Sequence, residues 1–578
     1  MSTKKFNSRV PLTVTIDRFR GITPLSPSEK HATKRIVNFR IGEDGSLQKR
    51  CGTRHIVTLP QKVRSFWNGD LHGKFHLYVL AGNIVYTVDL KSKTAIEVGS
   101  VASSEGTATF FVLQGTLYLT DGGDHVYRIE NNRIVSALGY VPLLGKDWDN
   151  DNMGEIFEPR NILNRHVRIT YVVSAPPSIF LRVPDTIESV EAVYLNGYLL
   201  STDQYRHNKE FNTIDIPGLA ADDRVEAHLT FESDPYDLRH RFCTMQGAVF
   251  FGSPEKNRTF FFGNEDSDTI FCTEYVTPEQ LEAASQHYNA DFLYLPEGHE
   301  FRVGDGRHPV RGALRHHDNL LIFTEGDTWL GSVDSTGQKR LPTVSVNATL
   351  GCLSSYGYAL APNDPITISR HGLYLWQNEH PDVTQCDAIR ISQVLDSFLT
   401  PDDLKTATLF YDALGDEIWL NLKSRSEIWI RPRTRDEWFC FTGILADRFF
   451  DADGQIGFIY GKEISVFDPE RSFDSDASGN AKNIVAVYQT PPLSFGTEKM
   501  KNLSQITLDT DLGSGLLLLE LYFDEKDSLS RTVRDRQKRQ HATLATRLRS
   551  GRFQNASLRI SSSDSMFCTI HSVTLRAH

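Results

Sequence analysis

Apolar runs in this 578-residue chain are short: four leucines at 516–519 stop at Glu520. A membrane helix needs about 18 or more apolar residues in a row, so no membrane-spanning segment is expected. Residues 1–6 show no apolar signal-peptide core. The seven cysteines are scattered, odd in number and never spaced as CxxC. That argues against a disulfide framework or a zinc knuckle and for folding in a reducing cytoplasm. Positive charge is in deficit as well: 62 Lys and Arg stand against 73 Asp and Glu, a net charge of −11. A protein that coats DNA is normally basic; an acidic one still suits a wall past which nucleic acid slides. No GxSxG, HExxH, Walker loop or strand-linked GxGxxG is present. No repeated Asp box or Arg cluster singles out a pocket for the paired carboxylates of a glycan hydrolase. The expectation is a protein that is not an enzyme and carries no cofactor.

What the chain has in quantity is strand. Residues 75–80 and 84–88 are β-rich runs around Gly82-Asn83, the pattern of a hairpin. The unit recurs at 109–113, 116–120 and 125–129, and again near 248–252, 319–324 and 372–376. The densest cluster lies at 417–422, 427–430, 437–441, 456–461 and 464–468. Short strands with a turn about every ten residues resemble four-stranded blades of a β-propeller.

Two segments break this rhythm. Residues 146–235 hold a separate strand set behind the acidic, Asn-rich stretch 147–152. Past the polar loop 474–480 lies another module with its own alternation. The fold class is therefore all-β: a β-propeller with an inserted small β-sandwich and a C-terminal, jelly-roll-like β-sandwich. The expected divisions are an N-terminal arm with first strands (1–60), first blades (61–145), the insertion (146–235), the remaining blades (236–475) and the terminal sandwich (476–578). Helix is scarce, with 278–286 and 401–408 the best candidates.

Few residues offer chemistry. His316-His317-Asp318 and Gly298-His299-Glu300 read as polar turns, because neighbours on a strand face opposite ways and cannot share an ion. Asp451-Ala452-Asp453-Gly454 opens like a calcium loop but lacks its glutamate at position twelve, so it reads as a hairpin turn. No catalytic or metal-ligating residue is assigned. Cations gather near the N-terminus and across 531–552. From these we single out Lys34, Arg35, Lys49, Arg50, Arg534, Arg536, Lys538 and Arg539 as candidate interface residues toward an acidic partner. The plainer reading of 531–552 is a solvated hairpin with its loop.

Phe19-Arg20-Gly21-Ile22, Ala32 to Ile41 with its Asn38-Phe39, and Asp44-Gly45-Ser46-Leu47-Gln48-Lys49-Arg50-Cys51-Gly52 resemble the opening of phage structural proteins. The segments around Leu350 to Ser354, Ile368 to Tyr374, Tyr488 to Gly496, Gly551 to Phe553 and Ile570 to Val573 resemble later parts of the same proteins. The family is the tail nozzle, or tail tubular hub, of short-tailed phages, with the related head-completion stabilisation proteins. The resemblance implies a virion protein, assembled in the host cytoplasm into a homohexameric ring. That ring would sit below an adaptor or portal-proximal ring, hold tail fibres or spikes, and line the DNA exit channel without specific DNA binding. Because residues 1–55 carry few core-like runs yet end in the turn-rich Asp44-Gly45-Ser46 and the basic Lys49-Arg50, this arm is expected to contact a neighbouring subunit or the ring above. The competing readings are a trimeric receptor-binding or glycan-cleaving tail fibre or spike, and a monomeric host scaffold propeller. The last would normally show cleaner repeats, such as one Trp-Asp per blade.

Overall fold

Alternating apolar residues joined by Gly- and Asn-centred turns dictate antiparallel hairpins, and the computed structural model is built of them. It describes residues 11–23, 33–150, 153–174, 180–252, 258–264, 267–317, 319–332, 341, 343–377, 386–524, 527–535 and 541–578. The turn at Gly82, at φ 56°, joins Lys74–Ala81 to Ile84–Asp89. Among the described residues the α-helices are short: Tyr236–Cys243, Pro278–Ser285 and Pro401–Thr406. The second begins in a reciprocal capping box between Thr277 and Gln280, and the third under a Thr400 cap, each with proline in its first turn. Tyr236–Cys243 was not expected from the sequence.

Among the described residues, seven meanders of the same kind follow one another, with the segment 143–231 between the second and the third. Their first strands are Val63–Leu71, Thr109–Leu113, Gly247–Phe251, Val310–His316, Tyr358–Ala361, Thr408–Asp412 and Arg448–Asp451. Each of these packs against the first strand of the next meander. The seventh has three strands in sequence and takes its fourth, Gly52–Thr58, from the N-terminal region. The first meander also packs on the seventh: Phe66 lies 5.6 Å from Phe450, and the Arg448 guanidinium sits 4.5 Å above the Phe66 ring. Second strands are the most buried, as in Glu417–Leu422, where all six residues are inside. Outer strands such as Thr94–Ser100 face solvent. The cores lie between successive sheets, for example Phe260 and Phe262 against Ala313 and Ile322, and between the first and seventh, with Val79 and Ala81 against Ile459 and Ile464.

The segment expected as an insertion carries two sheets of its own. One has the order Leu143–Asp149, His166–Val172, Arg224–Phe231, Ile187–Leu195, Tyr198–Leu199; the other is Phe180–Arg182, Thr213–Asp215, Arg206–Asn208. Trp148, Tyr171, Leu181, Ile214 and Phe231 fill the core they share.

The C-terminal region also has two facing sheets, but they are not its own alone. Strand Arg35–Val37 pairs parallel with Phe439–Thr442 and antiparallel with Ala486–Gln489. It thereby fuses the sixth meander to a C-terminal sheet in one run of nine strands. In the opposite sheet, Leu12–Ile16 and Leu47–Lys49 both pair with the last strand, Thr569–Ala577. Residues 12–16 and 35–58 were expected as an arm with first strands reaching for a neighbour. Strands in both stretches pair within this chain, and Ile16, Phe19, Ile36 and Phe39 are buried there because apolar side chains need cover.

Candidate functional site at the N-terminal clasp

The segment 33–58 pairs with the sixth meander, the seventh meander and the C-terminal sheets, and its charged residues explain how. In strand Leu47–Lys49, alternation puts Lys49 on the face of the buried Leu47. Its Nζ donates to Ser562 Oγ at 3.2 Å and to the Asp564 carbonyl at 2.5 Å, with the Asp564 carboxylate at 3.6 Å. Burial pulls the Lys49 ammonium below the usual lysine range, against the pull of Asp564. Arg50, 1% exposed, holds Asp474 with two nitrogens at 2.9 and 2.7 Å. Its Nε donates to Asn38 Oδ1 at 3.0 Å, and its plane lies 5.7 Å from the Phe441 ring.

Asn38 is the hinge of the clasp. It sits at φ 55° in the left-handed region, which asparagine tolerates. Its amide donates to Thr442 Oγ1 and to the Val485 carbonyl, so one side chain ties the sixth meander to the C-terminal sheet. Gly52 follows where the backbone passes the 471–473 segment; a Cβ there would meet the Phe473 carbonyl oxygen at 1.9 Å. Arg40 pairs with the buried Glu417, whose carboxyl burial pushes upward despite that cation. Gly21 donates to Glu437 Oε2 at 2.9 Å, and Ile22 exchanges backbone bonds with Trp438.

Two open hollows flank the clasp. One, of about 640 Å³, is lined by Arg18, Arg20, Glu43, Asp44, Arg435 and Glu437. The other, of about 800 Å³, is lined by Lys34, Pro492, Met500, Tyr522, Asp524 and Gln554. Mixed charge on both suits contact with polar surface more than enclosure of a small molecule.

The eight candidate interface cations therefore divide. Lys34, which lines the second hollow, and Arg35 are both exposed, on backbone paired to Gln489. Lys49 and Arg50 are corrected: both are buried and bonded inside the chain, so neither presents a charge to a partner. Arg534 is exposed at the end of Asp527–Arg534, the edge strand of the nine-stranded sheet. Arg536, Lys538 and Arg539 lie outside the described residues. The clasp as a unit escaped sequence reasoning, although the alternation Leu47-Gln48-Lys49 carried a signal for an inward lysine.

The other candidates settle into ordinary structure. His316 is buried with Nδ1 3.1 Å from the Asn363 carbonyl, and His317 turns the hairpin at φ 52°. Asp453-Gly454 is a hairpin turn with positive φ at both residues. All seven cysteines are free thiols. Burial raises the pKa of every one, to about 12 at Cys352, Cys386 and Cys568, which leaves them poor nucleophiles. The residues placed to hold a metal are a different set, Asp511, His541 and His571, with ligand atoms all within 4.8 Å of one another.

No family model matches the chain, and no curated protein matches it either. Among solved structures it is similar to the AfRom2 CNH domain, at 8% identity and a TM-score of 0.35, over 72% of this chain and 99% of that one. A likeness that loose carries no argument about this protein.

Proposed function

We propose that the chain is a structural subunit of a short-tailed phage tail, the nozzle or hub that forms a ring around the DNA exit channel. The seven meanders are read as the blades of a propeller body, closed by Gly52–Thr58. The observation that carries the proposal is the clasp. Among the residues on which the family resemblance rests, Asn38 and Arg50 tie the sixth meander to the C-terminal region, and Leu47 and Lys49 bind the same segment to the last strands. Their shared task is joining two bodies, and a chain that resembles the family there is expected to share the two-body build.

Physical arguments agree. A ring needs rigid subunits with two different faces that meet head to tail, and fused β-sheets supply rigidity. A net charge of −11 repels DNA phosphates at close range and keeps passing DNA from sticking. In this reading the partners are further copies in a homohexamer, an adaptor or portal-proximal ring, and tail fibres or spikes; the place of action is the virion tail.

One observation favours a second reading, a receptor-binding tail component. The insertion displays Tyr198 at 79%, Leu199 at 63% and Phe211 at 67% exposure on hairpin ends, and exposed aromatics of this kind anchor binding interfaces. Native mass spectrometry with electron microscopy of the purified chain decides between them. A six-fold ring supports the nozzle, a trimer supports the second reading, and a chain that stays monomeric at micromolar concentration overturns both.

A further inference from the structure

We propose that Asp511, His541 and His571 form a binding site for one divalent transition-metal ion, with zinc as its representative. Nothing in the tail reading requires this site. Three neighbouring strands of one sheet bring the residues together: Leu503–Asp511 in the middle, Ala542–Arg547 on one side and Thr569–Ala577 on the other. Asp511 Oδ1 lies 2.8 Å from His541 Nδ1, and its Oδ2 lies 2.9 Å from His571 Nε2. The two rings are 5.4 Å apart. One carboxylate between two imidazoles is a donor set that suits zinc.

The local strand geometry places these side chains. Asp509 pairs with Ser572, but Thr510 pairs with Ile570, so His571 is an extra residue in a β-bulge. In unbroken register His571 would face Thr510, which is buried. The bulge turns it to the face of Asp511, as bulges do where a strand must re-aim one side chain. Ala542 pairs with Thr510, which leaves His541 opposite Asp511 on that same face.

Each imidazole also has a second carboxylate behind it. His541 Nε2 is 3.1 Å from Asp509 Oδ1, and His571 Nδ1 is 3.8 Å from Asp44 Oδ2. A metal-bound histidine usually directs its other ring nitrogen to a carboxylate, which fixes the tautomer and orients the ring. His541 meets that geometry with Asp509, and His571 lies within ion-pair distance of Asp44. Charge agrees: three carboxylates face two imidazoles, and among the described residues the ion pairs of these carboxylates are to histidine and not to lysine or arginine. A dication would balance the excess.

The size is right after a small adjustment. Donors around a tetrahedral ion with bonds of about 2.0 Å stand about 3.3 Å apart. The two Asp–His contacts need to open by about half an ångström and the His–His separation, within 4.8 Å, has to settle near the same spacing, movements that His541, with its side chain 60% exposed, can supply. Three protein donors leave a further position for water. Because Asp44 sits in the turn between Phe39–Ile41 and Leu47–Lys49, the ion would also brace the clasp's hairpin against the last strand.

The test is equilibrium dialysis of the full chain, stripped with a chelator and desalted, against zinc chloride at pH 7.5, with bound zinc counted by elemental mass spectrometry. One zinc per chain is expected, together with a rise in melting temperature that the chelator reverses. His541→Gln and His571→Gln should each abolish that stoichiometric binding. Asp509→Asn should weaken it about tenfold to a hundredfold, while His371→Gln, at an exposed turn elsewhere, should leave it unchanged. Circular dichroism of the zinc-free variants checks folding; should His571→Gln unfold, the exposed His541 carries the test. Absence of bound zinc at about 100 μM free ion, or full binding retained in His541→Gln, overturns the proposal.

Discussion

Arg50 and Asp474, 424 residues apart in sequence, meet in a two-pronged ion pair with contacts of 2.9 and 2.7 Å. Arg50 is almost wholly buried, so the pair works without much help from water. Removing one partner leaves a buried charge uncompensated. Asp474→Ala is therefore expected to cost about 3–5 kcal/mol of stability, read as a lowered midpoint in urea. Replacing both residues with apolar ones of similar size should cost much less, since no stranded charge remains. Equal losses in the single and double variants would show that Arg50 does not depend on Asp474.

The described residues of the N-terminal segment contribute to the fold of the chain itself. Phe19 is 2% exposed and meets Tyr488 edge-on at 5.2 Å, and strand Leu12–Ile16 pairs along the last strand. Phe19→Ala should cost about 3–5 kcal/mol through the cavity it opens. Deleting residues 1–23 should lower the melting temperature of the isolated chain, before any question of docking arises. An unchanged melting temperature in both variants would restore the picture of a free arm.

The elements legible in the sequence share a local cause. Hairpins announce themselves where Gly82 or Asp453-Gly454 takes positive φ, and helices where Thr277-Pro278 and Thr400-Pro401 supply cap and first turn. The joint was not legible, because pairing of Arg35–Val37 with strands near 440 and 488 is decided by distant partners. Residue type alone reads Lys49 and Arg50 as surface charge, while Leu47 beside them marks the inward face. The histidine–aspartate set was hidden twice over. Its members come from three strands, and a one-residue bulge, invisible to a period of two, decides which way His571 points.

The seam between the insertion and the meanders should respond to pH. His166 Nδ1 lies 2.9 Å from Thr230 Oγ1, which donates to Glu191, and the His166 ring packs 5.0 Å from Tyr288 beyond helix Pro278–Ser285. His228 stacks on the same Tyr288, meets His287 edge-on and lies 3.0 Å from Glu226. Burial lowers the His166 pKa, Arg165 and His287 lower it further, and Glu191 and Glu188 oppose them. His287, at the rim, is lowered by burial and by His228 against Glu191. A histidine held below its ordinary value of about 6.5 is protonated first in the unfolded chain. Its contribution is intact above that value and is lost as pH falls below it. Glu191 and Glu226, both lowered, lose theirs only as pH falls below the ordinary glutamate value of 4.5. Urea midpoints between pH 8 and 5 should therefore fall with acid, and His166→Gln should flatten that fall. An identical slope in the variant would remove His166 as a source.

The proposed channel wall would let DNA touch it without being gripped. The described cations of the basic stretch do not form one surface. Arg531 and Arg534 lie on an edge strand of the nine-stranded sheet, where Arg531 faces with Leu519 and Arg534 with Leu516 on the opposite side. Arg547 lies on the edge strand of the other sheet, opposite Gln505. Charges on an edge strand have a purpose of their own, since they keep its unpaired backbone from joining another sheet. Each phosphate contact contributes about 0.9 to the slope of log affinity against log salt, so dispersed cations give few contacts and a shallow slope. The net charge of −11 adds repulsion that salt confines to about 8 Å at physiological strength. Filter binding to duplex DNA at about 150 mM salt should give a dissociation constant weaker than about 1 μM. Arg531→Gln with Arg534→Gln should leave it unchanged. Tighter binding that disappears when Arg534, Arg536, Lys538 and Arg539 are neutralised would mean that the stretch converges on DNA, and a channel wall that DNA passes freely would no longer be tenable.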